Sequence, residues 1–153
     1  MPIADPFLIP PELWFGVLCE EVSTDQAGRF NFGRVFNTLF LQTPPPASGL
    51  KPFAHLQAIL AVGFSHGVGE FTASVELQNV DGKALARRPE PWVFQVGPGD
   101  AQAATLADVA DHWFTAPGNY YYVIRLAPGD IEHRIRFEVA MPPVVAGRSS
   151  PQS

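Results

Sequence analysis

Asn119-Tyr120-Tyr121-Tyr122-Val123-Ile124-Arg125-Leu126, then Ala127-Pro128-Gly129-Asp130, then Ile131-Glu132-His133-Arg134-Ile135-Arg136-Phe137-Glu138-Val139, is the stretch whose reading decides the fold. It reads as a β-hairpin. Both arms are rich in β-branched and aromatic residues, and the connection holds Pro and Gly, whose fixed or permissive φ suits a short reversal. Pairing Leu126 with Ile131 sets Ile124 against His133, Tyr122 against Ile135 and Tyr120 against Phe137, so nearly every apolar group falls on one face. The other face then pairs Arg125 with Glu132, Val123 with Arg134 and Tyr121 with Arg136, two of them attractive cross-strand contacts. One register satisfies both faces.

The bulk numbers agree with a β protein. A chain of 153 residues fits one domain that can bury a core without disulfides or metal. Only 16% of residues are charged against 46% hydrophobic, below the roughly 25% charged of average domains, which points to a covered face. Twelve Phe, three Trp and three Tyr favour strands, and sixteen Pro with thirteen Gly punctuate many short elements. The net charge of -5, with no basic cluster longer than Arg87-Arg88, argues against a nucleic-acid partner. Cys19 is the single cysteine, so neither an internal disulfide nor a cysteine-based zinc site can form within one chain, and a reducing cytoplasm is the expected location. The N-terminus carries Asp5 and four prolines up to Pro11 and lacks the pattern of a secretory signal. No apolar run approaches the roughly 20 residues that span a bilayer, so no membrane association is expected.

Working outward from the hairpin gives three segments: a Pro-rich arm over 1–12, a β domain over 13–141 and a flexible tail over 142–153. Leu13 to Val22 reads as a first strand, too uniformly apolar to have one side in water and therefore central. Ser23 to Gly28 turns, and Arg29 to Leu41 returns as one strand with Phe30, Phe32, Phe36 and Phe40 alternating and Gly33 suited to a bulge. Thr43 to Pro52, with four prolines, is a loop crossing between sheets. Phe53 to Phe64 is a strand with two apolar faces, Leu56, Leu60, Val62 and Phe64 on one and Phe53, Ile59 and Ala61 on the other, so the second face needs a cover.

Glu70 to Gln78 alternates cleanly, with Phe71, Ala73, Val75 and Leu77 inward and Glu70, Thr72, Ser74, Glu76 and Gln78 towards water. Asp81-Gly82 marks a turn, Lys83 to Pro91 an exposed irregular link, Trp92 to Val96 a short strand and Gly97 to Asp100 a break. Ala101 to His112 divides between helix-favouring alanines and a position before Trp113-Phe114 that suits an edge strand; loop followed by strand is the preferred assignment. About eight strands joined by short turns predict a single-domain, antiparallel two-sheet β-sandwich, immunoglobulin-like or jelly-roll-like. Pro44 to Pro46, Pro89, Pro91 and the outward arginines serve as guards of its edges.

Several motifs stand in a familiar order: Gly28-Arg29-Phe30-Asn31-Phe32-Gly33, Val75-Glu76-Leu77 leading to Asp81-Gly82, then Phe114 and Pro117-Gly118-Asn119-Tyr120. Over Leu13 to Val139 this resembles a bacterial family of small β-sandwich proteins of unknown function. The Pro-rich arm and Cys19 depart from that pattern. The resemblance implies the sandwich fold and brings no activity with it.

Candidate chemistry is sparse. Cys19 with a histidine would make a nucleophile and base, but a cysteine inside an apolar strand reads as an inert core residue. Asp108, Asp111 and His112 have no standard metal spacing, and Asp130 with Glu132 sits beside Arg125 and Arg134, so both groups read as surface charge. Trp92, Trp113 and Tyr121 are candidates for an aromatic platform; core burial is the first expectation for the two tryptophans, and Tyr121 is the better surface ring. Tyr120 resembles a corner tyrosine with a structural role. The expectation is a non-enzymatic interaction or accessory protein, without cofactor or metal, that associates with itself or another protein through Tyr121, Arg125, Arg136, Ile59 and Trp113 on an exposed sheet face or edge. The alternative is a small-ligand or carbohydrate-binding module.

Overall fold

The structure, a computed structural model, describes residues 8–27, 29–97 and 104–142, with the backbone alone for 104–106. Most of the expected arm and tail, Gly28 of the first turn, and the break from Pro98 to Asp100 with Ala101 to Ala103 lie outside the described residues. What is described is all-β, in several sheets, and its one helical piece is a 3-10 turn at Pro46–Ser48. No helix among the described residues is long and apolar enough to cross a membrane.

One sheet has three antiparallel strands, β1 (Glu12–Cys19), β5 (Ala54–Ser65) and β9 (Ala104–Phe114), with β5 in the middle. The second sheet orders β4 (Thr38–Phe40), β11 (Ile131–Ala140), β10 (Gly118–Ala127) and β6 (Gly69–Gln78). Along the far side of β6, β7 (Ala84–Arg87) and β8 (Trp92–Val96) pair with its two ends in turn. A separate ribbon is formed by β2 (Glu21–Thr24) and β3 (Phe30–Gly33). Among the described residues eleven strands thus replace the eight or so expected, because several long apolar stretches break at turns.

The hairpin β10–β11 has the expected register, Leu126 opposite Ile131 and Tyr120 opposite Phe137, without a slip. Its reversal runs through a cis peptide bond before Pro128, Gly129 at φ 110° and Asp130 at φ 51°. Ile124, Leu126, Phe137 and Val139 are fully buried. With Phe71, Ala73, Val75 and Leu77 of β6 they share one apolar cluster with Leu56, Leu60, Val62 and Phe64 of β5. Each fully buried Leu or Phe in that cluster contributes on the order of 1.5–3 kcal/mol relative to the exposed side chain. The Tyr120 hydroxyl donates to the Ala116 carbonyl at 2.7 Å, the corner contact that its position before the strand suggests.

The first apolar stretch does not form a central strand. β1 is an edge of its sheet, and it ends at Cys19, after which the chain turns into the β2–β3 ribbon. An irregularity between Leu13 and Phe15 inserts Trp14 as an extra residue, so Leu13 pairs with Phe64 on the core side while Phe15 pairs with Gly63 on the outside. This bulge, rather than one at Gly33, is the device that serves both faces of an all-apolar segment. A methyl on Gly63 would overlap the Phe15 ring, and Phe15 lies 5.0 Å from Phe32 of the ribbon. The ribbon is therefore the cover that the second face of β5 demands, over its β1 side. Arg29 to Leu41 is likewise not one strand: Arg34 takes φ 56°, Phe36 bonds to Leu18 through its backbone, and Thr38–Phe40 joins β11 in parallel. Lys83 to Pro91 holds β7 rather than irregular chain, set by the Asn79 side chain, which accepts from the backbone N–H of Asp81 and Lys83.

Gly16 fixes how closely the two large sheets approach. It faces Ile135 across the core, and a methyl added there would overlap the Ile135 side chain. Gly16→Ala is expected to lower stability by about 1–3 kcal/mol through overpacking, outweighing the roughly 0.5–1 kcal/mol by which Ala is favoured over Gly in a strand. Urea unfolding followed by tryptophan fluorescence reads this as a lower midpoint, and an unchanged midpoint would mean that the sheets have slack at Ile135.

Candidate interaction surface and the adjoining cleft

β9 is an edge strand. It pairs with β5 over its whole length, from Ala54 opposite Phe114 to Phe64 opposite Ala104, with no break in register. Period-two alternation turns Asp108, Ala110, His112 and Phe114 inward and Ala107, Val109, Asp111 and Trp113 outward. Phe114 takes the core position, packing edge-on to Tyr120 and Phe137. Its neighbour Trp113 must then face out, and it is 58% exposed, which corrects the expectation of burial. Val109, on the same face, is 70% exposed. Trp113 stacks on His55 with ring centres 4.0 Å apart and planes within 1°, and Phe53 stands 5.6 Å away. His55 Nε2 lies 2.8 Å from the Asp111 carboxylate. Ile59 is cross-strand to Val109 and half-buried. The outer face of β5 and β9 is thus an apolar strip with one charged contact.

The other three candidates lie elsewhere. Tyr121, Arg125 and Arg136 stand on the outer face of the second sheet, across the core from Ile59 and Trp113, so the five residues do not form one site. On that sheet Glu76 and Gln78 are 8% and 3% exposed, not solvated as their alternation suggests. Glu76 accepts from Gln78 at 2.5 Å and from Arg87 Nε at 2.7 Å, with Arg125 Nη1 at 3.6 Å. The Gln78 hydrogen bond, followed by the arginine charges, holds its carboxyl below the usual range against the cost of burial. Arg125 and Arg134 both reach Glu132, at 3.2 and 3.0 Å, and Arg134, not Arg136, lies over the Tyr121 ring at 5.7 Å. Tyr121 and Arg125 are therefore engaged within the protein, while Arg136 makes no ion pair among the described residues.

Between β9 and β7 the two large sheets part in a cleft of about 480 Å³. Its apolar walls include Leu60, Val75 and Leu77, with Tyr122 among them. Arg88 crosses it, its guanidinium 4.6 Å from the Trp92 ring and Nε 3.2 Å from Asp108 Oδ2. That nitrogen is buried and not aligned for a hydrogen bond, so the contact is ionic. Burial, then the charges of Asp108 and Asp111, push the Tyr122 phenol well above its ordinary value, which keeps it protonated and unsuited to act as a base. Trp92 packs half-buried on the core, as expected, so Trp92, Trp113 and Tyr121 form no common platform.

Asp108 and His112 face inward and Asp111 outward, and among the described residues no group of three His, Cys, Asp or Glu could hold a metal. Cys19 is fully buried beneath the ribbon side of β5, its thiol 3.7 Å from the Ile59 carbonyl, and burial raises its pKa. It is packed as a core residue and not exposed as a nucleophile. Val109 is the residue the sequence reading passed over. Its signal was the run Ala107-x-Val109-x-Asp111-x-Trp113, which only a fixed inward Phe114 turns outward. No protein-family model and no curated protein matches this chain.

Two inward histidines give the fold a pH dependence. His133 lies 5.8 Å from the Phe64 ring with Nε2 buried and unpartnered, and His112 packs edge-on to Phe114. Burial lowers the pKa of both, only partly opposed at His112 by Asp111. Above the unfolded histidine value of about 6.5 both states are neutral; below it the unfolded chain binds the protons first, so stability falls with pH until the lower folded values are passed. Glu76, whose pKa is also depressed, loses its contribution only in the more acidic carboxylate range. Melting temperature should therefore drop between pH 7.5 and 5, and His133→Gln should flatten that drop. Equal slopes for the two proteins would show that His133 takes up its proton as readily in the folded state as in the unfolded one.

Proposed function

We propose that this protein is a non-catalytic association module that takes up a strand of protein along β9, with the apolar strip on β5 and β9 contacting the incoming side chains. The observation that carries this is the contrast between β9 and every other sheet edge among the described residues. β1 has a bulge, β2 and β3 of the ribbon have four residues each, β4 has three, β7 has four and runs into Pro89, and β8 has five and follows Pro91. Short length, bulges, prolines and charged side chains, inward-pointing ones included, are devices by which edges avoid pairing, and of these β9 has only Asp108 and Asp111, each with a partner inside the protein. β9 has eleven residues in unbroken register and contains no Lys, Arg, Pro or Gly. An added strand would gain main-chain hydrogen bonds along such an edge, with alternate side chains meeting Val109 and Trp113.

The same proposal takes the two large sheets as the layers of a sandwich, immunoglobulin-like or jelly-roll-like, and the motif order as kinship with the bacterial sandwich family. The lone buried thiol of Cys19 suits a reducing compartment such as the cytoplasm. A second use, binding of a small ligand such as a carbohydrate, is favoured by the cleft beside Arg88 and Tyr122, whose volume is in the range of small-molecule sites. Such a ligand would lie along the edge of β9, against Asp108 to Asp111, and would not touch Trp113. Tryptophan fluorescence and melting temperature that stay constant across a glycan panel would remove that second use.

Association is tested by native mass spectrometry of the untagged protein and of Val109→Lys. The wild type should carry a second polypeptide, its own or another from its cell extract, and Val109→Lys should lose it while its stability changes by no more than about 0.5 kcal/mol, as for other exposed positions. A strictly monomeric wild type that retrieves no stoichiometric partner would sink the proposal.

A further inference from the structure

Resting on the strand-addition proposal, we infer that the strand β9 accepts is β9 of a second copy of this chain, joined antiparallel about a two-fold axis through Val109. A two-fold axis perpendicular to the sheet keeps each residue on its own face, so residues opposite one another must share parity and one residue must lie opposite itself. Centring on Asp108 or Asp111 would set two carboxylates directly opposite each other, which is repulsive. Centring on Ala110 would put Asp111 against Val109 and leave residues 104 and 105 unpaired. Centring on Val109, the midpoint of Ala104–Phe114, pairs the whole strand. Val109 then meets its own copy, Asp108 meets Ala110, and Asp111 meets Ala107.

In this register the two Asp108 copies are diagonal neighbours on the inward face, about 7–8 Å apart, and each carries its own Arg88 counter-charge. Both carboxylates of β9 are already partnered within the protomer, Asp108 by Arg88 at 3.2 Å and Asp111 by His55 at 2.8 Å, and each comes to lie opposite an alanine. The small Ala107 and Ala110 leave room for the carboxylates across the joint. The exposed Val109 side chains cover one another at the axis, which removes from water the most exposed large apolar residue among those described. The three-stranded sheets become one continuous sheet of β1-β5-β9-β9-β5-β1, and β9, central in it, ceases to be an edge.

Cysteine cross-linking in the full chain reads the register directly. Residues opposite each other in an antiparallel pair have Cα atoms about 4.5–5.5 Å apart, inside the range a disulfide spans. Val109→Cys should give a covalent dimer on mild oxidation, the buried Cys19 taking no part. Ala107→Cys should not, since in this register the two copies of residue 107 are offset by about 13 Å along the strands. Equal cross-linking of the two variants, or a Val109→Cys dimer that forms no disulfide between its copies, would overturn the two-fold register. A wild-type monomer that still carries a different protein, lost in Val109→Lys, would overturn the second copy as occupant and leave strand addition standing. A monomer with nothing bound would overturn both.

Discussion

The register of β10 on β11 is the constraint on which the rest of the structure depends. Side chains alternate with period two, so a slip of one residue would turn one of the two strands over, carrying either Arg125 into the core and Tyr122, Ile124 and Leu126 out, or Arg134 and Arg136 in and Ile135 and Phe137 out. The core cluster contains no carboxylate, so a guanidinium group carried into it would lack the acid and the further hydrogen bonds it needs. β10 also templates β6, and β6 in turn holds β7 and β8, so one register propagates to the far edge of the second sheet. The first sheet is then placed by the apolar groups that this second sheet presents, with Gly16 allowing Ile135 to come close.

Charge is distributed unequally between the two outer faces. On the second sheet Glu76 ties β7, β6 and β10 together through Arg87 and Arg125, and Glu132 continues the array to β11 through Arg125 and Arg134. Val123 lies fully buried among these side chains, although it sits on the outer face. Glu76 is the buried member, and loss of Arg87 and Arg125 together would leave its carboxylate with Gln78 alone, which is why this array reads as a structural brace. Among the described residues the three-stranded sheet has no comparable cover beyond the ribbon. Its Trp113, Val109 and Ile59 strip is crossed only by the His55 to Asp111 contact. The low overall charge of the chain thus translates into one braced face and one open strip, and the open strip borders the one long, regular edge among the described residues.

The hairpin, the β6 core side and the loop crossing at Thr43 to Pro52 were legible because alternation and turn chemistry act within a few residues. The split of Leu13 to Val22 was not, since a uniformly apolar run has no period from which to read the extra residue at Trp14. Glu76 and Gln78 look solvated in sequence; only the arrival of Arg87 and Arg125 from other strands makes their burial tolerable. For the site, the sequence groups Ile59 and Trp113 with Tyr121, Arg125 and Arg136 on one sheet face or edge. Sequence order cannot tell which sheet a strand joins, and the crossover between sheets separates the two groups. Trp113 beside Phe114 is the sharpest case: two adjacent aromatics compete for one inward position, and the contact of Phe114 with Phe137 decides it.

The central claim is that β9 is an open edge that another strand completes. In an antiparallel edge strand every second residue turns its N–H to the neighbour and the rest turn theirs away. Amide hydrogen exchange resolved along Ala104–Phe114 therefore tests it most directly. At high dilution alternate amides should exchange fast while those bonded to β5 stay slow, and the fast set should slow as the protein is concentrated and β9 pairs. Uniformly slow exchange along β9 at dilution would contradict the account, because the edge would then be covered within the single chain.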